Sequence, residues 1–233
     1  MKVTIGANWD GGDYYPLEYV NRLYRAVERH RTIPFDFVLF IGPEAEKPGK
    51  LNGLESAVKV VPVGLPSWWS TLPWFMKNPP GVETDTILFL DLDIVILSCL
   101  NPILRFPSDL AMMKDYPAAL CPVGHETDGN NGVTLIRNGA GVRVWEEYEK
   151  AGKPVWDALD TTIDKGTLRL AAMTIVNDPK NGIKIDLFPE NWICSYKLQV
   201  LKKGLPEGCR IVHFHGVPKP HEVNEKWVKD NWI

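Results

Sequence analysis

An apolar run over residues 86–97, broken only by Asp91 and Asp93, constrains the fold of this chain more than any other segment. Its first part, Thr86–Leu90, is apolar on both faces, a pattern typical of a parallel strand that is covered on both sides. The run is far shorter than the ~20 residues of a membrane-spanning helix. The segment therefore predicts a buried strand that ends in two carboxylates.

The segments around this strand predict an α/β fold. Residues 17–29 place apolar side chains at helical spacing, with charged residues between them. Strands are also predicted at residues 2–7, 35–41, 57–63, 110–114, 132–136, 183–187 and 210–215, and helices at residues 141–150 and within the proline-bounded segment 66–80. The order strand, helix, strand, strand and then a buried strand favours a sheet covered by helices. Since no internal repeat or linker is present, we expect one domain.

Charge and cysteine content exclude several classes of partner and compartment. The 233 residues carry a net charge of −3, which favours neither nucleic acid nor an anionic membrane surface as a partner. Cys99, Cys121, Cys194 and Cys209 form no Cys-x-x-Cys pair, a pattern that favours reduced thiols in an intracellular protein. The N-terminal segment becomes polar too early for a signal peptide. We therefore expect a cytoplasmic protein without a transmembrane segment.

Asp91 and Asp93 form a candidate metal site. They are one residue apart, so both side chains point to the same side of an extended chain. Two carboxylates at the end of a buried strand repel each other unless a cation or a proton lies between them. Divalent cations such as Mg2+ and Mn2+ take oxygen ligands of this kind. The alternative interpretation is that the pair caps the turn that follows.

A second candidate segment, residues 210–221, holds three of the five histidines of the chain. His213 and His215 share one face of a predicted strand, and a histidine is a suitable third ligand for Mn2+. Gly216 would let the backbone approach a ligand closely, and Lys219 supplies a point charge that suits a diphosphate. The alternative is a pair of structural histidines beside a surface lysine.

Both segments resemble glycosyltransferase family 8 and its bacterial and viral relatives. Three family motifs occur in order: a strand leading into Asp-x-Asp, an Asn-x-Gly-Val segment, and His-x-x-Gly-x-x-Lys-Pro. The matching residues are 88–93, 130–133, and His213, Gly216, Lys219 and Pro220. His221 stands where the family usually has tryptophan. Residues 15–24 also resemble related transferases, so the resemblance spans nearly the whole chain.

The resemblance implies a GT-A fold, a Rossmann-like α/β domain with a mixed, mainly parallel central sheet flanked by helices. It implies one catalytic domain over residues 1–233, with a nucleotide-binding part over about residues 1–97 and an acceptor and metal-completing part over about residues 98–233. The implied activity is metal-dependent transfer of a sugar from a nucleotide sugar, a UDP-sugar by family habit, to a carbohydrate or other hydroxyl acceptor. Mn2+ or Mg2+ is the implied cofactor.

The resemblance also implies roles for individual residues. The implied metal ligands are Asp91, Asp93 and His213. The residues implied to contact the nucleotide sugar are Ala7, Asn8, Tyr15, Asp91, Asn130, Gly132, Lys197, Gly216 and Lys219. Within this set the first three would line the base pocket, Asp91 would lie near the ribose, and Gly216 and Lys219 would contact the diphosphate. Asn130 and Gly132 would approach the donor sugar or the acceptor.

The chain departs from the family where the sugar reacts. Family 8 enzymes carry an Asp-Gln pair beside the reacting carbon, and no glutamine occurs between residues 156 and 177. Thr71 stands where relatives often have a basic residue, and Lys197 is a candidate replacement for that charge. Candidates for a base that activates the acceptor are Asp128, Asp186 and Glu190. Asp128 is preferred because it adjoins the Asn-x-Gly-Val segment.

Three other functions remain open from the sequence. A nucleotidyltransferase would share the sheet and the metal, but its loop after the first strand is usually glycine-rich and basic, whereas residues 8–13 are acidic. A non-catalytic protein that binds nucleotide sugars is compatible with the missing Asp-Gln pair. A metallohydrolase would use Asp93, His213 and His215, and its metal would not depend on a nucleotide diphosphate.

Overall fold

The computed structural model describes residues 2–65, 67–115, 129–151 and 184–233. The strands among them are β1 Val3–Trp9, β2 Phe35–Ile41, β3 Val58–Pro62, β4 Thr86–Leu90, β5 Ile94–Ile96, β6 Leu110–Lys114, β7 Gly129–Arg137, β8 Asp186–Leu187, β9 Ile193–Ser195 and β10 Ile211–His213. The α-helices are α1 Glu18–His30, α2 Asn101–Leu104, α3 Val142–Ala151, α4 Leu201–Lys203 and α5 Lys226–Asn231. Two 3-10 helices, Ser67–Phe75 and Pro220–Glu222, and a π-helical turn, Tyr196–Val200, complete the described elements.

Seven of the described strands form the central sheet, in the order β3-β2-β1-β4-β7-β6-β8. The four strands β3, β2, β1 and β4 are mutually parallel. Strand β7 runs antiparallel to both of its neighbours, and β8 is parallel to β6. The predicted α/β fold with a mixed, mainly parallel sheet is therefore confirmed. Since both predicted parts of the chain supply strands to this sheet, the division near residue 97 stays a prediction.

The central sheet is covered on both faces, as the apolar pattern of β4 predicts. All five residues of β4 are buried. Leu88 and Leu90 pack in the cluster that contains the buried face of α1, whereas Ile87 and Phe89 pack with Trp74 on the other side. Alternate side chains of a strand point to opposite faces, so one apolar run supplies both cores.

A smaller sheet of three described strands, in the order β5-β10-β9, lies beyond the end of β4. Neither β5 nor β9 is evident in the sequence, and the strand predicted over residues 210–215 ends at His213. One further backbone bond follows in the same register, from the N–H of Phe214 to the carbonyl oxygen of Asp93. In the central sheet, β7 is longer than the predicted residues 132–136.

The carboxyl ends of β1 and β4 lie where the strand order of the central sheet reverses. The pairing of β1 with β4 ends at Gly6 and Phe89, whereas its pairing with β2 continues to Trp9 and Ile41. The chain leaves β1 towards β2 on one side and returns to β4 on the other, which makes this a topological switch point. Ligands of open α/β sheets bind outside the carboxyl ends of strands at such points.

Two further expectations concern membranes and thiols. None of the helices in the described part of the chain combines the length and the apolar composition that a membrane crossing requires. Cys99, Cys194 and Cys209 are free thiols, and Cys121 lies outside the described residues.

Candidate metal centre

Asp91 and Asp93 lie directly after β4 and are fixed by backbone bonds to different sheets. The N–H of Asp91 donates to the carbonyl oxygen of Gly132 in β7, at 2.8 Å. The carbonyl oxygen of Asp93 accepts from the N–H of Phe214, which follows β10, also at 2.8 Å. Since His213 ends β10, these two bonds bring the carboxylate pair to the histidine.

The side chains of Asp91, Asp93 and His213 converge. His213 Nε2 lies 3.4 Å from Asp91 Oδ2 and 3.2 Å from Asp93 Oδ1. One ligand atom from each residue lies within 4.8 Å of the other two. The side chains of His213 and Asp93 are buried, whereas that of Asp91 is 18% exposed. Two carboxylate oxygens and one imidazole nitrogen, open on the Asp91 side, suit Mn2+ well and Mg2+ less well.

The absence of a side chain at Gly132 makes room for this cluster. A Cβ at that position would lie 2.9 Å from His213 Cε1 and 3.0 Å from Asp91 Oδ2. It would also lie 3.2 Å from Asn130 Oδ1, which accepts a hydrogen bond from the Gly132 N–H. The residue type at 132 therefore preserves a space beside the ligand atoms, and the donor set around that space fits a divalent cation.

The electrostatics of the cluster follow from burying opposite charges together. Burial alone would lower the pKa of His213, but Asp93 and Asp91 outweigh it with their charges and hydrogen bonds and raise that pKa to about 8. Burial alone would raise the pKa of Asp93, but His213 and Lys219 hold it far below its ordinary value. Without a metal, the structure therefore favours an ion pair between imidazolium and carboxylate.

This ion pair predicts how the stability of the metal-free protein depends on pH. Because the pKa of His213 is raised on folding, its protonation stabilises the fold fully when the pH is below the unfolded-state pKa near 6.5. That stabilisation is lost as the pH rises through about 8. The shift corresponds to about 2 kcal/mol. The stabilisation that comes from the depressed pKa of Asp93 is present at neutral pH, and it is lost only as the pH falls below about 4. We therefore expect the free energy of unfolding in EDTA to fall between about pH 6 and about pH 9.

Urea denaturation across this pH range measures the effect. The matched control is His213→Gln, which removes the titrating group and is expected to flatten the profile. An identical decline in both proteins would show that other groups cause it.

Lys219, which was predicted to contact a diphosphate, is buried and 4% exposed. Its Nζ donates to Asp93 Oδ2 at 2.5 Å and to the hydroxyl oxygen of Tyr15 at 2.7 Å. A third donation, at 3.4 Å, reaches the carbonyl oxygen of Phe214. The structure thus places the ammonium on a ligand carboxylate, and its contact with a diphosphate stays a prediction.

The residues predicted for the base pocket lie at the end of β1 and in the loop after it. The side chain of Ala7 is fully buried, so only its backbone could contact a nucleotide. The amide of Asn8 is engaged on both sides: Nδ2 donates to Thr71 Oγ1 at 2.7 Å, and Oδ1 accepts from Trp74 Nε1 at 2.8 Å. The hydroxyl of Tyr15 lies on Asp93. The side chains of Asn8 and Tyr15 therefore have partners within the protein, and their contact with a base stays a prediction.

Asn130 lies beside the metal centre and leads to an acidic residue that sequence reasoning missed. Its Nδ2 donates to Asp115 Oδ1 at 3.0 Å, while its Oδ1 accepts from Gly132. Asp115 directly follows β6, as Asp91 directly follows β4. The signal that identified Asp91, an acidic residue immediately after an apolar strand, could have identified Asp115 too.

Lys197 and Gly216 lie next to each other, close to the segment that follows His213. The φ angle of Gly216 is +65°, and a Cβ there would lie 2.8 Å from Lys197 Nζ. Lys197 lies in the π-helical turn after β9. Ser195, at the end of that strand, makes a hydrogen bond of 2.8 Å to His215 Nε2. These two predicted contact residues are therefore brought together, and one is basic.

The three candidate bases have different outcomes. Asp128 lies outside the described residues, as does the segment 156–177. Asp186 pairs with Ala111 near the start of β6, at the edge of the sheet opposite the metal centre, and is not brought to it. Glu190 forms an ion pair with Lys114 at the end of β6, which places it on the same edge as Asp91.

Comparison with known proteins shows the fold. No protein-family model matches the sequence, and no curated protein matches it. A structure of the galactosyltransferase LgtC in complex with donor and acceptor sugar analogues matches 94% of this chain and 89% of its own, with a TM-score of 0.62 and 13% identity. The glycosyltransferase GlyE of Streptococcus pneumoniae, without ligand, matches with a TM-score of 0.58 and 14% identity. The bifunctional glycosyltransferase WbbM matches with a TM-score of 0.57 and 15% identity.

These similarities confirm the predicted GT-A fold. The chain spans nearly all of LgtC, but 56% of GlyE and 46% of WbbM, each of which it matches over 94% of its own length. It therefore corresponds to one region of those two longer chains. Because the identities are low, they establish the architecture, and the activity has to be argued from the site.

Proposed function

We propose that this chain is a metal-dependent glycosyltransferase that moves a sugar from a nucleotide sugar, with UDP as the nucleotide, to a carbohydrate or other hydroxyl acceptor. The observation that carries the proposal is the convergence of Asp91, Asp93 and His213 at the switch-point edge of a GT-A fold. A cation held there would lie at the carboxyl ends of β1 and β4, where a nucleotide would bind.

In this proposal Asp91 Oδ2, Asp93 Oδ1 and His213 Nε2 hold Mn2+ or Mg2+. When bound, the cation would neutralise negative charge on the departing nucleoside diphosphate. The protein supplies the rest by position: β1 ends at the same edge of the sheet as β4, and Gly132 keeps the space beside the ligand atoms open.

The charges of the site support an anionic ligand. The two ligand carboxylates are offset in part by Lys219, which bonds Asp93, so a divalent cation gives the centre a net positive charge. Lys197, whose ammonium lies beside Gly216, adds a further positive charge next to the histidine segment. A bound cation is often the largest local charge of a site and governs its preference for phosphate. We therefore assign the diphosphate to the space between the metal ligands and Lys197.

Two residues are proposed to face the sugars, Asn130 and Asp128. Asn130 lies against both Gly132 and Asp115, so a donor sugar next to the metal would meet an amide and a carboxylate there. Asp128 precedes this segment and remains our candidate base. The acidic loop after β1 counts against a nucleotidyltransferase.

Calorimetric titration with UDP, in Mn2+ and in EDTA, tests the proposal. We expect binding in Mn2+ and a loss of most affinity in EDTA; ADP, GDP and CDP serve as controls for the base. An equal affinity for UDP in Mn2+ and in EDTA would contradict the proposed site. A second step measures hydrolysis of a panel of UDP-sugars with Mn2+. Metal-dependent binding without any turnover would instead favour a binding protein on the same fold.

A further inference from the structure

The hydroxyl of Tyr15 lies on a metal-ligand carboxylate, although the family resemblance predicts this side chain in the base pocket. Tyr15 Oη donates to Asp93 Oδ2 at 2.9 Å. Lys219 Nζ donates to the same hydroxyl oxygen at 2.7 Å and to the same carboxylate oxygen at 2.5 Å. The three groups therefore form a closed triangle of hydrogen bonds.

The two oxygens of Asp93 have different partners. Oδ1 faces His213 Nε2 at 3.2 Å, where a metal would bind, and Oδ2 accepts from Tyr15 and Lys219. The terminal torsion of an aspartate is broad, so an unrestrained carboxylate could rotate and change which lone pair faces the cation. Two donors on Oδ2 oppose that rotation.

The direction of the Tyr15 hydrogen bond follows from its neighbours. An ammonium group can only donate, so Lys219 donates to the phenol oxygen and the phenol proton points to Asp93. A phenol keeps its proton up to its ordinary pKa near 10. The hydroxyl therefore remains a donor over the whole working pH range.

Tyr15 is itself held in place at both ends. Its carbonyl oxygen accepts from Trp9 Nε1 at 2.7 Å, which fixes the loop after β1. Its ring packs edge-on against Tyr19 of α1, with centroids 5.3 Å apart. A hydroxyl with a fixed backbone and a fixed ring can orient the group that it contacts.

We propose that Tyr15 is a positioning residue of the metal centre, which holds the Asp93 carboxylate so that Oδ1 faces the cation. This inference rests on the proposed function, because it requires that the cluster binds a divalent cation. It moves Tyr15 from recognition of the base to support of the metal, and it links the loop after β1 to the cation site. Loss of such an outer partner typically weakens metal affinity by about 10–100-fold.

The test compares Tyr15→Phe with Tyr14→Phe. The first removes only the hydroxyl on Asp93. The second removes a hydroxyl from the adjacent tyrosine, which is 59% exposed, and keeps its ring. Binding of Mn2+ alone is measured from the electron paramagnetic resonance signal of the free ion. We expect at least about 10-fold weaker Mn2+ binding in Tyr15→Phe and an unchanged affinity in Tyr14→Phe. Affinity for uridine in EDTA should stay unchanged in both.

The outcomes separate this inference from the proposed function. If the unmodified protein binds no Mn2+, the proposed function fails and the inference fails with it. If the unmodified protein and Tyr15→Phe bind Mn2+ equally, only the role of Tyr15 is overturned. A loss of uridine affinity with normal Mn2+ binding would return Tyr15 to the base pocket. Thermal unfolding of each variant shows whether a loss of fold accounts for the change.

Discussion

Asp93→Asn is expected to abolish the Mn2+-dependent part of UDP binding. The substitution keeps the size of the side chain but removes the charge, and with it the ligand that lies closest to His213. We expect Mn2+ affinity to fall by more than about 100-fold, beyond the range for loss of an outer partner. Titration of Mn2+ and then of UDP measures it, and an unchanged UDP affinity in Mn2+ would exclude Asp93 from the site.

The same variant leaves Lys219 buried without its counter-charge. Breaking a buried pair on one side costs about 3–5 kcal/mol, so a loss of fold could imitate a loss of metal. The double variant Asp93→Asn with Lys219→Met removes both charges and is expected to recover much of that stability. If the double variant is folded and still binds no Mn2+, the missing Asp93 carboxylate, and not unfolding, causes the loss of metal binding. Recovery of metal binding in the double variant would argue against Asp93 as a ligand.

Gly132→Ala is expected to abolish metal binding although it changes no ligand. The added Cβ would lie within about 3 Å of the His213 ring and of Asp91 Oδ2, so at least one ligand atom has to move. Overpacking of this kind costs about 1–3 kcal/mol in stability. We therefore expect a folded protein with a lower melting temperature and no Mn2+ signal in the resonance titration.

Asn131→Ala is the matched control for this glycine. Asn131 lies one residue earlier in β7, is half-buried and supplies none of the three ligand atoms. It is expected to bind Mn2+ with the affinity of the unmodified protein. Normal Mn2+ affinity in Gly132→Ala would show that the cation does not occupy the space beside this position.

The fold was predictable where a strand carries its own apolar pattern. Strands β2, β4 and β6 have the predicted bounds because each is a largely apolar run next to turn residues or charges. Strands β5 and β9 have three residues each and pair with β10 from distant parts of the sequence. Three residues are too few to show the alternating pattern of a strand, so these two strands are defined by their long-range pairing with β10.

The candidate site was predictable to a similar degree. Asp91, Asp93 and His213 stand out because they follow apolar strands, and the structure brings them together. The partner of Lys219 is separated from it by 126 residues, so no local pattern indicates that this ammonium is buried. Tyr15 was predicted from its position along the chain, which says nothing about the direction of its hydroxyl. Asp115 could have been predicted as well, because it directly follows the apolar strand β6.

A single residue, Leu92, separates a ligand fixed to the large sheet from a ligand fixed to the small one. Asp91 is bonded to β7, and Asp93 to the segment after β10. Any sliding of the two sheets against each other therefore changes the bite of the two carboxylates directly. The spacing of the ligands therefore depends on how the two sheets pack, and a bound cation would link one sheet to the other. Packing beneath the small sheet, far from any ligand atom, can thereby set the strength with which the ion is held.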